Sequence, residues 1–231
     1  IQNNSTGLKA VSGTGSARLE CYDLRVSGRA RFTGSSHCTG TIFPSSASMI
    51  DPYATMAIPA AAASGPSMTI EGGSTTLMPG TYDNLLFRST AEVVLSPGVY
   101  HVLNGFRVTG EANVYGEGVT IVVHGGDLTF AGTGDVMLTP PESGPTAGFT
   151  IIQPSSNTTA MSLTGDSSFM VHGTIYVPNA TVNVSGQAGV GEIGPLFGVT
   201  LVVDQLKVSG KGIIRLGQRP ITPPDSGEKQ D

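Results

Sequence analysis

Five carboxylates crowd into one stretch of the chain, and residues of this type can perform acid–base chemistry. They fall within 32 positions: Glu111, Glu117, Asp127, Asp135 and Glu142. Enzymes that cleave polysaccharides need such carboxylates in a cluster, with basic residues on the same face. Glu117, Asp127 and Asp135 each stand next to a glycine, which is typical of a turn. We therefore interpret these side chains as solvated turn residues and predict no catalytic site.

The histidines are the other candidates for catalysis: His37, His101, His124 and His172. The last two each follow a β-like run and precede a glycine, an arrangement that also occurs in pectin hydrolases. The paired-Asp and Asn-Thr-Asp elements of those enzymes are missing from the sequence, and no Gly-x-Ser-x-Gly nucleophile motif occurs. The sequence therefore predicts a protein that is not an enzyme.

No metal site and no cofactor are predicted. The segment 125–128, Gly-Gly-Asp-Leu, is similar to a calcium-binding β-roll repeat, but it occurs once instead of at regular intervals. The two cysteines, Cys21 and Cys38, have neither a CxxC partner nor a Cys/His cluster at zinc spacing.

The cysteines lie 17 positions apart, and two interpretations of them are open. They are either two buried free thiols or a disulfide between Cys21 and Cys38. The exported character of the rest of the sequence favours the disulfide. A bridge that closes a loop of this size contributes roughly 3 kcal/mol in the chain-entropy model.

The composition indicates an extracytoplasmic β-protein. Charged residues make up 13% of the chain, half of the roughly 25% of ordinary soluble proteins, and 32 residues are glycine. The net charge of −5 and the lack of any basic cluster denser than Arg25, Arg29 and Arg31 exclude a nucleic-acid-binding surface. The most apolar stretch, 56–63, is broken by Pro59 and is too short to span a bilayer. We expect a periplasmic, cell-surface or secreted location, with any targeting segment outside this sequence.

Short β-like segments make up most of the chain, and a repeated triplet relates them. No stretch of ten residues keeps a helical apolar period without Gly or Pro. The repeat is Val/Leu–Ser/Thr–Gly, with Phe32-Thr33-Gly34 and Phe130-Ala131-Gly132 as close variants. It occurs six times, at Val11-Ser12-Gly13, Val26-Ser27-Gly28, Val108-Thr109-Gly110, Leu163-Thr164-Gly165, Val184-Ser185-Gly186 and Val208-Ser209-Gly210.

Several of these triplets recur after 21 to 24 residues, which favours a stack of coils. The fold class predicted is all-β, a parallel β-helix-like solenoid with short strands and Gly-rich corners. Glycine suits the corners because it tolerates a positive φ. The alternative is a Gly-rich β-sandwich, in which turns recur every 8 to 12 residues.

Within this solenoid we predict four parts. Residues 1–43 form an N-terminal β-segment with the cysteine pair, and residues 44–66 form a Pro/Ala/Ser connector. Residues 67–217 form the main solenoid, and residues 218–231 form a flexible tail rich in proline and polar residues.

The order of motifs along almost the whole chain resembles the C-terminal extracytoplasmic region of TadG-like proteins from bacterial tight-adherence (Flp) pilus systems. The matching motifs begin with a Gly/Ser/Ala-rich strand that leads to Cys21, and a β-segment with the second cysteine follows. The later ones are Asp51-Pro52-Tyr53-Ala54, Leu95-Ser96-Pro97-Gly98-Val99-Tyr100, Val114-Tyr115-Gly116-Glu117-Gly118-Val119-Thr120, Ala147-Gly148-Phe149-Thr150-Ile151, Gly173-Thr174-Ile175-Tyr176-Val177-Pro178-Asn179-Ala180 and Leu206-Lys207-Val208-Ser209-Gly210.

The resemblance implies a non-enzymatic, surface-exposed structural or adhesive module of a pilus apparatus, with no catalytic residues. Its expected partners are other pilus-system proteins or surface glycans. The membrane-anchoring helix of such proteins is missing from this chain, so membrane attachment would need a segment outside it.

A binding role needs only a flat, repetitive face. Small polar and charged side chains on the predicted strands could form one: Thr109, Thr129, Ser162, Asn183 and Lys207. The same side chains could instead be the solvated wall of the solenoid. Two other functions stay open, namely a β-helical carbohydrate-active enzyme and a stand-alone lectin-like or ice-binding solenoid, although the coil spacing looks too irregular for ice binding.

Overall fold

The computed structural model describes residues 2–3, 5–21, 23–48, 50–166, 168–186, 189–190 and 199–215. All regular secondary structure in these ranges is β, and every strand pairing is parallel, which confirms the predicted solenoid. The same ranges contain no helix that is long and apolar enough to cross a membrane. In chain order the strands are β1 (Gln2–Asn3), β2 (Val11–Gly13), β3 (Arg18–Glu20), β4 (Asp23–Val26), β5 (Ala30–Phe32), β6 (His37–Cys38), β7 (Thr41–Pro44), β8 (Met68–Leu77), β9 (Gly80–Tyr82), β10 (Leu85–Leu95), β11 (Gly98–Val102), β12 (Gly105–Gly110), β13 (Asn113–Gly116), β14 (Val119–Val123), β15 (Asp127–Gly132), β16 (Val136–Leu138), β17 (Phe149–Ile152), β18 (Met161–Gly165), β19 (Ser168–Val171), β20 (Gly173–Val184), β21 (Gly189–Val190), β22 (Val199–Val208) and β23 (Ile213–Arg215).

About nine coils stack in one direction, and each coil runs through three parallel sheets. Sheet A consists of the first halves of β8 and β10, then β12, β15, β18, the second halves of β20 and β22, β2 and β5. Sheet B consists of the second halves of β8 and β10, then β13, β16, β19, β21, β23, β3 and β6. Sheet C begins with β9, β11, β14, β17 and the first halves of β20 and β22, and β1, β4 and β7 continue it.

The inward side chains of all three sheets form one continuous core. Successive residues of a strand point to opposite faces, so every second residue faces this core, while β14 and β17 in sheet C are buried on both faces. Four phenylalanines stack along the axis, with ring centroids 5.6 Å apart for Phe87 and Phe106, 5.7 Å for Phe106 and Phe130, and 4.6 Å for Phe130 and Phe169. Burying each such side chain contributes about 1.5–3 kcal/mol, and no single coil could bury its own.

A ladder of glycines turns the corner between sheets A and B. Its members all have positive φ: Gly110, Gly132, Gly165, Gly186, Gly210, Gly15 and Gly34. A Cβ at Gly132 would lie 1.9 Å from the carbonyl oxygen of Gly110, so no larger residue fits at this position. Ser89 takes the next place, with φ 58°. The predicted triplets at 108, 163, 184 and 208 end in this ladder, whereas the triplet at 11 is two positions out of phase and the one at 26 ends sheet C.

The N-terminal strands stack beyond the last coil of the main solenoid, which the sequence did not reveal. β2 lies between β22 and β5, with Val11 opposite Leu206 on one side and Ala30 on the other. β3 lies likewise between β23 and β6. The segment predicted at residues 1–43 thus shares one core with residues 67–215, and Leu19 and Leu24 are buried in it. The tail predicted at 218–231 lies outside the described residues.

The connector joins the two ends of this stack by running along the outer surface of sheet C. Strand β7 ends at Pro44, and the described residues of 45–66 contain no strand. The hydroxyl of Tyr176 donates a hydrogen bond to Asp51 Oδ2 (2.8 Å), and Ala62 N donates to Thr81 Oγ1 (3.1 Å). Three connector side chains pack on outward residues of the sheet. The contacts join Tyr53, Met56 and Ile58 to Val122, Phe149, Ile152, Tyr176, Val99 and Val202.

Two loops lengthen one coil and explain why the repeat is irregular there. Thr129 and Ser162 are adjacent in sheet A although 33 positions separate them. The first loop, 139–148, docks by a hydrogen bond from Thr120 Oγ1 to Thr146 Oγ1 (3.0 Å). The second, 153–160, docks by bonds from Asn157 Nδ2 to the carbonyl oxygens of Val123 (3.2 Å) and Gly126 (3.1 Å).

Candidate functional site

The structure places the five carboxylates at three different corners of the solenoid. Glu111 and Asp135 lie between sheets A and B, and Glu117 and Glu142 lie between sheets B and C. Asp127 lies between sheets C and A, at the start of β15. Four of them thus lie between strands, Asp127 is the first residue of β15, and the five do not meet in one cleft.

Asp127 is held in an ion pair on the outside of sheet A. Arg107 Nε donates to Asp127 Oδ2 (2.7 Å) and Arg107 Nη2 to Oδ1 (2.6 Å), while the hydroxyl of Thr129 donates to Oδ2 (3.1 Å). The hydrogen bonds from Arg107 hold the pKa of Asp127 below its ordinary value. This favours the ionised form, so the carboxyl is poorly suited to act as a general acid.

Two of the four histidines form a pair across neighbouring strands. His101 Nδ1 lies 3.0 Å from His124 Nε2, so one neutral ring donates a hydrogen bond to the other. Burial lowers the pKa of both rings, and the neighbouring ring adds to this effect at His101. His37 is exposed in β6, and the carbonyl of His172 accepts a hydrogen bond from Thr150. The described residues contain no group of three or more His, Cys, Asp or Glu that could hold a metal ion.

The two cysteines meet at the end of the solenoid that the N-terminal strands form. Cys38 in β6 stands opposite Leu19 in β3, and Cys21 comes two residues after Leu19 along the chain. Their Sγ atoms lie 3.3 Å apart, and the hydrogen bond between them lowers the pKa of Cys38 to about 6 and raises that of Cys21. The fold thus brings the predicted disulfide partners side by side as thiols, and the disulfide itself stays a prediction.

All five polar residues proposed as a binding surface lie in sheet A, but Thr109 lies outside the row that the other four form. Thr109 stands opposite Ala131 in the neighbouring row, because it is two positions beyond Arg107 along β12. The other four belong to a row of outward side chains that crosses all the coils, which we call the polar row. Its members in spatial order are Thr69, Leu86, Arg107, Thr129, Ser162, Asn183, Lys207, Ser12 and Arg31.

Sheet B carries a second outward row, which the sequence analysis missed. Val94, Tyr115, Met137 and Met170 stand opposite one another in four successive coils, and we call them the apolar row. The side chains of the first three are 43%, 37% and 41% exposed. An exposed apolar patch that continues over several coils is typical of a contact surface.

Acidic residues border the apolar row on both sides. Glu92 and Asp135 lie two positions before Val94 and Met137, at the corner with sheet A. Glu117 and Glu142 lie exposed at the corner with sheet C. An apolar centre with a charged rim is the usual arrangement of a protein interface, and this rim would attract a basic partner.

A signal for the apolar row is present in the sequence. Its strands contain Val93-Val94-Leu95, Val136-Met137-Leu138 and Phe169-Met170-Val171, each three apolar residues in a row. Because strand residues alternate between the two faces, the middle residue of each run must point outward if its neighbours are in the core. Tyr115 follows the same rule between Val114 and Gly116.

Comparison of the chain with known protein families, with curated proteins and with solved structures found no match.

Proposed function

We propose that this chain is a non-enzymatic, extracytoplasmic structural or adhesive module of a tight-adherence pilus apparatus. The observation that carries the proposal is the apolar row, an exposed strip on a rigid sheet that spans four coils. The motif order that resembles TadG-like proteins supports the association with a pilus. A preformed flat surface loses little conformational entropy on binding, which suits a docking element.

The partner that this surface fits is another protein of the pilus apparatus. It would present an apolar strip that covers Tyr115 and Met137, with lysines or arginines that face Glu92 and Asp135. Large aromatic and methionine side chains are enriched at the centres of protein interfaces, where they contribute most of the affinity.

The test is binding of the purified full chain to individually purified pilus-system proteins, by surface plasmon resonance. Tyr115→Glu and Met137→Glu place charges in the apolar row, and each should weaken binding by about tenfold or more. Ser162→Glu is the matched control, because it adds the same charge to the polar row of sheet A. It should leave the affinity unchanged within about twofold.

Three results would contradict the proposal. If the chain bound no pilus-system protein, it would lack the partner that the proposal requires. If Ser162→Glu weakened binding as much as Tyr115→Glu and Met137→Glu do, the apolar row would not be the binding surface. A glycan array signal that Ser162→Glu abolishes and Tyr115→Glu leaves intact would support the lectin alternative instead.

A further inference from the structure

Both ends of the solenoid expose the edges of strands. At one end β5, β6 and β7 pair only with β2, β3 and β4, and at the other end β8 pairs only with β10, all within the described part of the chain. The ten residues of β8 are edge strand throughout and include neither lysine nor proline. Proteins usually protect such edges with these residues, because an open edge is a template for another strand.

The end formed by β5, β6 and β7 also leaves apolar side chains uncovered. Phe32 in β5 and Cys38 in β6 are only partly buried, and Ile42 in β7 is 37% exposed. The residues opposite them in the neighbouring coil are buried, namely Gly13, Leu19 and Leu24. This end therefore resembles an interior cross-section whose next coil is missing.

The end of the solenoid formed by β5, β6 and β7 is rich in basic residues, and the opposite end is rich in acidic residues. Around β2–β5 and the end of β22 the exposed cations are Lys9, Arg18, Arg25, Arg29, Arg31, Lys207 and Lys211, of which Arg18 and Arg25 are paired with Glu20 and Asp23. The coils of β8 to β18 are rich in acidic residues, namely Glu71, Asp83, Glu92, Glu111, Glu117, Asp127, Asp135, Glu142 and Asp166. Their two cations, Arg88 and Arg107, are each paired with a carboxylate, that of Glu71 and Asp127.

We propose that copies of this chain associate head to tail, with β5 and β6 of one copy adding to β8 of the next. The basic end of one copy then meets the acidic end of another, and the parallel sheets A and B continue across the junction. Because each copy keeps one open end of each kind, the contact does not close and generates a linear series. This inference goes beyond the proposed function and does not depend on it.

The register of sheet A identifies the residues that meet. The polar row begins with Thr69 in β8 and ends with Arg31 in β5. In a continued stack Arg31 would stand next to Thr69 of the following copy, with Glu71 of that copy two positions away. The connector covers part of β9, where Ala62 N donates to Thr81 Oγ1 and a Cβ at Gly65 would lie 2.1 Å from Thr81 O, so the junction is confined to sheets A and B.

The test is sedimentation velocity of the full chain over a concentration series, in low and high salt. We expect a concentration-dependent ladder of species, which 0.5 M salt shifts toward monomer because it screens the charges (a Debye length of about 4 Å). Arg31→Glu and Thr69→Lys each place like charges at the junction, and each should lower the association constant by about tenfold. The double variant carries opposite charges there again, and its constant should return to within about threefold of the original value.

Matched controls lie in the same row but in interior coils. Asn183→Glu and Ser162→Lys introduce the same charged side chains away from the ends, and both should leave the association constant unchanged. A single monomeric species at all concentrations in low salt would overturn the proposal. Equal weakening by the controls, or no recovery in the double variant, would overturn it too. The apolar-row variants should assemble normally, so failure of the proposed function and failure of this inference are distinguishable.

Discussion

At the scale of single residues, the Cys21–Cys38 pair stabilises the end of the solenoid if it forms a disulfide. The low pKa of Cys38, about 6, keeps a large thiolate fraction at neutral pH, and the thiolate is the reactive form. We therefore expect air oxidation to form the disulfide. The two electrons pass to dioxygen, so intact-mass measurement should show the loss of two hydrogen atoms, and a reductant should lower the unfolding free energy by roughly 3 kcal/mol. Persistence of two free thiols in an oxidising buffer would contradict the prediction.

The His101–His124 pair makes a second prediction at this scale. The pKa of both rings is lowered in the folded state, so the unfolded chain takes up protons first as the pH falls through about 6.5. The unfolding free energy should accordingly fall from about pH 7 downward, until the folded-state pKa values are passed. Urea unfolding at pH 7.5 and pH 5.5 measures this difference.

The double variant His101→Gln/His124→Gln should reduce the pH dependence of that unfolding free energy. His37→Gln is the control, because His37 lies exposed in β6 and outside the pair. If the control flattened the pH dependence as much as the double variant does, the assignment to the pair would be wrong.

At the scale of the element, the glycine ladder depends on Cβ-free corners. Gly132→Ser should destabilise the fold by more than about 1 kcal/mol, because the φ of Gly132 is 145° and the Cβ would lie 1.9 Å from the Gly110 carbonyl oxygen in the preceding coil. Ser89→Gly makes the reverse change at a position with φ 58° and should stabilise by about 0.5–1 kcal/mol. Thermal and urea unfolding of both variants test this. Ser89 is tolerated because the pairing of β10 with β8 shifts register there.

The connector is held by aromatic contacts that a single substitution can remove. The ring centroid of Tyr53 lies 4.8 Å from that of Phe149 and 5.8 Å from that of Tyr176. Tyr53→Ala should cost about 2 kcal/mol and make the connector the first site cut in limited proteolysis. Tyr53→Phe keeps the ring and should behave like the original protein. Cutting within the coils before the connector would contradict this view.

The sequence predicted the strands and corners better than the register of the strands and the packing of the connector. Short strands, parallel stacking and glycine corners follow from local repeats, and the ladder of seven glycines agrees with them. The place of Thr109 outside the polar row could not be predicted, because the register within each strand was unknown. The packing of Tyr53 on sheet C was equally hidden, since the connector has no period that indicates which of its side chains are buried.

For the whole molecule, the order of coils in space matters more than their order in the chain. Deleting residues 1–66 would uncover the edges of β22 and β23 together with Leu206, Val208 and Ile214, which are now buried. We expect the shortened chain to aggregate, as measured by light scattering at a concentration low enough for the full chain to be monomeric. A folded, monodisperse shortened chain would show that these coils need no cover.

Local patterns could not reveal this arrangement. Residues 30–34 repeat the same motif as the later coils, and such a coil can stack on either end of a solenoid. The choice depends on the connector, which is long enough to return along sheet C and is anchored there at Tyr176.

The stacking of β2 on β22 also sets an order of events during synthesis. A ribosome makes Val11 long before its partner Leu206, so the first coils made are the last that can be placed. Until then residues 1–44 have no edge to join, and their apolar side chains are open to other chains or to chaperones. The contact between β2 and β22 joins residues that most of the chain separates. Its formation is therefore slow compared with the local stacking of the other coils. Folding of this solenoid therefore cannot simply follow translation from the first residue to the last.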